Sequence, residues 1–249
     1  MNQTELKLET ARFTDLVKRA VRSSRPVFSD FLNPDAQQRL MALARREGLE
    51  CGQFGGSADP ERAIVGLWQM GCDPLESPIA VVRLKWDGRY VSVQHRDVLG
   101  AVLALGMERE RLGDIRLEGD AAYLAVQPAM AAYLIGALDS VGRASVKAEY
   151  YDGELPEAEK GERAVVNVPS LRLDAVLAQT LRLARAKAQT LIKGGAVRLN
   201  WQETDRTDAE VGDGDVISVR GHGRVKVLKV AGESRKGRLF VEVETFLKP

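Results

Sequence analysis

Two cysteines in 249 residues, Cys51 and Cys72, are too few to build a disulfide framework, and a reducing cytoplasm is the expected compartment. Two histidines, His95 and His222, give those cysteines no metal-ligand spacing, so neither a metal nor any other cofactor is expected. A cysteine–histidine nucleophile pair is no better indicated than in any chain with two of each. A membrane span would need about twenty unbroken apolar residues. The nearest approach, residues 121–138, is interrupted by Gln127 and Pro128 and reads as a strand followed by a buried helix. Met1-Asn2-Gln3-Thr4-Glu5 lacks the basic and apolar pattern of a signal peptide, so a chain without membrane segments is expected. Gly52-Gln53-Phe54-Gly55-Gly56 lacks the Lys-Ser/Thr of a phosphate-binding loop and reads as a loop with a tight turn. His95-Arg96-Asp97 invites comparison with a protein-kinase catalytic loop, but no glycine-rich loop, strand lysine or Asp-Phe-Gly accompanies it. Asp97 is expected instead to start a helix at Val98.

The chain also lacks an overall charge of one sign, at +1 in total, yet the charge is unevenly spread. Residues 170–249 carry 15 Lys and Arg against 10 Asp and Glu, a net of +5, and the other 169 residues carry a net of −4. A basic tail on a slightly acidic body points to a polyanionic partner for the tail.

The length allows one large domain or two to three small ones. Residues 1–77 read as helical, then mixed. Leu6, Phe13, Leu16, Val17 and Val21 roughly follow helical spacing, and Asn33-Pro34-Asp35 supplies a cap, a first-turn proline and an acidic first turn for a helix through Glu47. Ala63 to Trp68 reads as a strand. Over residues 78–151 the expected elements are a strand 79–86, an Asp87-Gly88 hairpin turn into a strand 90–93, and a helix 96–105. Strands 115–117 and 123–126, a helix 128–138 and a strand 144–150 follow. The order β-α-β-β-α-β is that of ferredoxin-like and RNA-recognition folds. The strand 122–126 nevertheless lacks the paired aromatics on which an RNA-recognition sheet stacks bases. Residues 152–168 open with five acids against one lysine and suit an acidic linker. Beyond it, Ser170 is expected to cap a helix striped by Leu173, Val176, Leu177 and Leu181. A second helix, about 184–193, stops at Gly194-Gly195, and strands follow at Val197 and at Val216. The fold class is therefore α+β and multidomain.

Arg172-Leu173-Asp174, Leu177, Arg185, Ala188, Leu191-Ile192, Gly195, Val197 and Asn200, with Gly214-Asp215-Val216-Ile217, resemble the S4 RNA-binding domain over roughly residues 170–220, within a C-terminal domain of residues 169–249 that ends in a β-hairpin extension. The family often has serine where this chain has Ala184, at the start of the second helix. His95-Arg96-Asp97, Leu99-Gly100-Ala101, Arg109-Glu110-Arg111-Leu112-Gly113-Asp114-Ile115, Val141-Gly142-Arg143-Ala144, Asn200-Trp201 and Gly221-His222-Gly223-Arg224 resemble the YlmH-like proteins. That family places an RNA-recognition-like domain before a C-terminal S4 domain. The resemblance implies binding to ribosomal RNA, and to tRNA, on the large ribosomal subunit, including quality control of stalled subunits that hold peptidyl-tRNA. A monomer is expected off the ribosome.

The candidate RNA contacts are the cations of the two-helix module. Arg172, Arg182, Arg185, Lys187 and Lys193 would neutralise phosphates, while Gln189 would hydrogen-bond a phosphate or a 2′-hydroxyl. Arg198, Arg220 and Arg224 extend the set onto the following hairpins, with Lys226, Arg235 and Lys236 beyond them. A second surface is expected from His95, Arg96, Arg109, Arg111 and Arg143. The alternative is an RNA-modifying enzyme that docks through its S4 module. Against it, pseudouridine synthases usually carry the module first, and the Arg172-Leu173-Asp174 here belongs to the module itself. A methyltransferase glycine loop and the ATP signatures of a tyrosyl-tRNA synthetase are missing. A protein-binding adaptor is compatible with residues 1–77. No catalytic residue is expected.

Overall fold

The computed structural model describes residues 3–74, 76–158, 160–234 and 237–247. The chain forms two compact units that divide between residues 158 and 159. Among the described residues no helix is long and apolar enough to cross a membrane.

The first unit opens with helix α1 (Gln3–Arg22), strand β1 (Val27–Leu32), helix α2 (Pro34–Arg46) and strands β2 (Glu50–Phe54) and β3 (Ala63–Trp68). The apolar stripe of α1 is carried by Phe13, Val17 and Ala20, while Leu6 and Val21 stay exposed. Helix α2 starts where its capping signal lies, with the Asn33 side chain accepting a 2.9 Å hydrogen bond from the Ala36 N–H. The three strands form an antiparallel sheet ordered β1-β3-β2. Strand β3 is flanked on both edges, which explains its unbroken apolar run. The loop expected at residues 52–56 needs correcting, because Gly52 to Phe54 belong to β2. Gly52 lies opposite Gly66, and β-carbons there would meet the rings of Trp68, Phe28 and Phe54 at 2.8–2.9 Å. These glycines make room for aromatic rings within a sheet.

The unit continues with β4 (Ala80–Lys85), α3 (His95–Ala104), a 3-10 turn (Arg109–Arg111), β5 (Leu112–Glu118), β6 (Ala121–Val126) and α4 (Pro128–Ala137). A short hairpin, β7 (Ser140–Val141) with β8 (Ala144–Ser145), then leads into β9 (Lys147–Tyr151). The antiparallel order β5-β6-β4-β9 is the split βαβ topology. The strand expected over 90–93 is absent, since both edges of β4 are taken by β6 and β9. Side chains alternate across this sheet. Val82, Leu84, Ala122, Leu124 and Val126 face α3 and α4. Val81, Ala121, Tyr123 and Ala125 face the other way and share a core with Phe31, Ile64 and Leu155. The N-terminal segment thus covers the sheet face that an RNA-recognition fold would present to bases.

Gly113 marks how closely the layers approach, since a β-carbon there would stand 2.5 Å from the Phe31 ring. Substituting Gly113→Ala should therefore cost about 1–3 kcal/mol through forced rearrangement. Urea denaturation followed by tryptophan fluorescence would read this, and an unchanged midpoint would contradict the close approach.

The second unit contains β10 (Glu162–Val168), α5 (Leu173–Thr180), α6 (Arg185–Lys193), β11 (Val197–Leu199), β12 (Gln202–Glu203), β13 (Val216–Val219), β14 (Gly223–Glu233) and β15 (Leu239–Leu247). They form a six-stranded sheet ordered β10-β15-β14-β13-β11-β12. The acidic linker expected over 152–168 is corrected in its second half: all seven residues of β10 pair with β15. The acids of 152–162 mask a β-branched stretch whose Val166 and Val168 point into the core. Nor is Ser170 the cap of α5; Arg172 holds that place and bridges to Glu210. Both helices pack on one sheet face through Leu173, Val176, Leu177, Ala188 and Ile192.

Candidate nucleic-acid interface

At the centre of the two-helix module lies Asp174, a carboxylate with no solvent exposure on the first turn of α5. It accepts hydrogen bonds from Arg172 (Nε and Nη2, both 3.2 Å), Arg185 (Nε 3.1 Å, Nη2 2.9 Å) and Gln189 (Nε2 2.7 Å). Burial alone would raise its pKa; the bonds from Arg172, Arg185 and Gln189 outweigh that and hold it well below the usual carboxylate range. Three candidate RNA contacts therefore converge on one protein carboxylate. The two guanidiniums keep 40% and 48% side-chain exposure, so each retains donors turned toward solvent. Asp174 was not singled out from the sequence, although the Arg172-Leu173-Asp174 spelling contains the pair.

The remaining helix-layer cations are differently placed. Lys187 and Lys193 on α6, and Arg182 in the turn before it, are exposed, with no ion-pair or hydrogen-bond partner for their side chains among the described residues. Arg182 adopts φ +53°, a left-handed conformation uncommon for a residue with a β-carbon. Arg220 joins this end of the module: its N–H donates to the Ala196 carbonyl, just past Lys193 and the Gly194-Gly195 stop.

Arg198 and Arg224 do not join them. Arg198, Ser218 and Arg224 lie in register across β11, β13 and β14, alternating with Val197, Val219 and Val225, which pack toward the helices. These two arginines project from the sheet face turned away from α5 and α6. Lys226 lies on the same side as Arg224, two residues along β14. Arg235 and Lys236 lie outside the described residues.

In the first unit the expected second surface divides between structural and available side chains. Arg109 donates to the Leu112 carbonyl at 2.6 Å, and Arg111 to Gln127 Oε1 at 2.6 Å, lying 3.4 Å from Asp30. They brace the start of β5. Sequence reading missed their neighbours Arg62 and Asp114. Arg62 donates to the carbonyls of Leu112, Phe31 and Arg109, and Asp114 accepts from the Glu61 and Arg62 N–H groups and from Arg116. Burial, with Arg109 close by, lowers the Arg62 pKa to about 10, so it remains a cation at neutral pH. Burial raises that of Asp114 against the pull of Arg116. Desolvation and the nearby Arg109 lower the pKa of His95, which disfavours its charged form. Arg96 is 81% exposed beside Asp97, and Arg143 is exposed at the tip of the β7–β8 hairpin, which packs next to α3.

Residues 76–154 match the family of the YlmH RNA-binding domain, and residues 171–217 match the S4 domain family. A Bacillus subtilis (strain 168) protein named ribosome-associated protein quality control protein P2 is 33% identical over 221 residues, spanning 87% of this chain and 86% of the relative. A solved structure, the cell division protein ylmH from Streptococcus pneumoniae, shares the fold at TM-score 0.53 and 21% identity, over 61% of this chain and 93% of that one. With a relative of that identity matched along most of both lengths, and an S4 module following the family's own RNA-binding domain, this chain belongs to the YlmH family.

Proposed function

We propose that this chain binds structured RNA without catalysing a reaction, gripping ribosomal RNA, tRNA or both on the large ribosomal subunit through its S4 module. On this reading it serves in quality control of stalled subunits that still hold peptidyl-tRNA, and is a monomer when off the ribosome. The observation that carries the reading is the make-up of the helix layer. A buried carboxylate fixes Arg172, Arg185 and Gln189, while Lys187, Lys193, Arg182 and Arg220 are left to a polyanion. The quality-control name of the Bacillus subtilis relative supports the setting. The cations supply phosphate contacts, which orient a protein on RNA but do not read its sequence, so selectivity would come from RNA shape. Arg96 and Arg143 form a secondary surface on this reading.

Sedimentation of the full chain with purified large subunits tests it. About four phosphate contacts predict a roughly hundredfold loss of affinity between about 50 and 200 mM salt. Absence of association, or association indifferent to salt, would refute the reading.

A further inference from the structure

We propose that Trp201 is a stacking platform for an unpaired nucleobase of the RNA that the second unit binds. The inference rests on the RNA-binding reading above and adds to it the one contact that needs a base and not a phosphate.

The argument starts from the turn between β11 and β12. Asn200 and Trp201 have φ of +49° and +66°, the two left-handed residues of a tight hairpin turn. Such turns select asparagine followed by glycine, because glycine alone takes the second position without strain. A tryptophan there is poorly suited to its own backbone, so local conformation does not explain its presence. Nor does it belong to the main apolar core. The apolar cluster of this unit takes in Leu199 and Ile217 beside the turn but not Trp201, which stays partly exposed. Its ring meets no aromatic or cationic partner, and its indole N–H finds no acceptor, among the described residues.

The turn is nevertheless firmly held. The Asn200 amide donates to Asp215 Oδ1 at 2.7 Å, its oxygen accepts from the Val216 N–H at 2.9 Å, and its N–H donates to the Val216 carbonyl at 2.8 Å. The residue before the indole is thus locked to the start of β13, so the backbone that carries the ring is held and only the tryptophan's own side-chain torsions remain to be fixed on stacking. A partly exposed aromatic on a firmly held hairpin turn in a basic module is an arrangement with which proteins stack single-stranded bases. Exposed Arg198 stands on β11, two residues before the turn.

The test uses the full chain and two RNA hairpins with one stem, the second carrying abasic sites in place of its loop nucleotides. Trp201→Gly should weaken binding to the ordinary hairpin roughly 5- to 100-fold. Trp201→Phe should keep most of the affinity. Wild type should lose as much on the abasic hairpin, and Trp201→Gly should lose nothing further there. Because glycine suits the turn, Trp201→Gly should melt no lower than wild type; a lower midpoint with intact RNA binding would mark the ring as packing and overturn the proposal. Equal affinity of wild type and Trp201→Gly for the ordinary hairpin would also overturn it, while leaving the RNA-binding reading in place. Failure of wild type to bind either hairpin or large subunits at low salt would overturn both.

Discussion

Replacing Asp174 with alanine should destabilise the second unit by roughly 2–4 kcal/mol. The carboxylate is inaccessible to solvent and receives bonds from two guanidiniums and one amide, so its loss undoes five donor contacts. Hydrogen bonds to a charged group contribute about 1.5–3 kcal/mol each in favourable settings. Here both arginines are half exposed and can turn to water, which holds the sum well below five such terms. What water does not restore is the separation of Arg172 from Arg185, since two cations would then share a site built around an anion. Urea denaturation of the full chain measures the effect, and a change below about half a kcal/mol would contradict the arrangement.

The pH dependence follows from the direction of the shift. Asp174 is held below its unfolded value of about 3.9, so its stabilisation is complete above that value and is lost as the pH falls through the acid range toward the folded pKa. The stability gap between wild type and Asp174→Asn should accordingly be widest near neutrality and should shrink below about pH 4. A gap independent of pH would mean that the carboxylate is stabilised by shape and not by charge.

The second large effect concerns RNA. Lys187→Glu combined with Lys193→Glu should weaken binding to large subunits roughly 100- to 1000-fold at low salt, and should flatten the logarithmic salt slope by about 2. Stability should change by less than about 1 kcal/mol, mostly from Lys193, whose charge favours the C-terminal end of α6. Arg96→Glu combined with Arg143→Glu, made on two exposed side chains of the first unit, serves as the comparison. A larger loss from that pair than from the lysines would move the interface to the first unit. An unchanged slope in the lysine variant would remove α6 from it.

Sequence signals with a local physical cause carried through to structure. Asn33-Pro34-Asp35 starts α2 because the Asn33 side chain accepts an orphaned N–H, the proline presets the helical φ without adding a donor, and Asp35 complements the positive end of the helix dipole. The strands expected over 79–86 and 123–126 appear as β4 and β6, and their largely apolar runs suit a sheet packed on both faces. Where tertiary pairing decides, the same reasoning failed. Asp87-Gly88 has the spelling of a hairpin, but β4 spends both its edges on distant strands, and Asp87 pairs instead with Arg89. Strand β10 was hidden because acidic neighbours dominate its window, while its partner β15 lies more than 70 residues away. At the candidate site the cations of α6 were legible from periodicity. The destination of Arg185 was not: a sequence shows that a guanidinium is present, but not that a buried carboxylate eleven residues earlier already holds it. Arg109 misled for the same reason, its charge directed at backbone carbonyls.

The apolar layer shared by Phe31, Ile64, Val81, Tyr123, Ala125 and Leu155 bears on what counts as an independent piece of this molecule. Residues 76–154 match a family of their own, but one face of that segment's sheet is apolar and is covered by Phe31 and Ile64 from the residues before it. Heredity and solubility draw their borders in different places here. A recombination event that moved residues 76–154 alone would carry the topology away and leave behind the cladding that keeps it from precipitating.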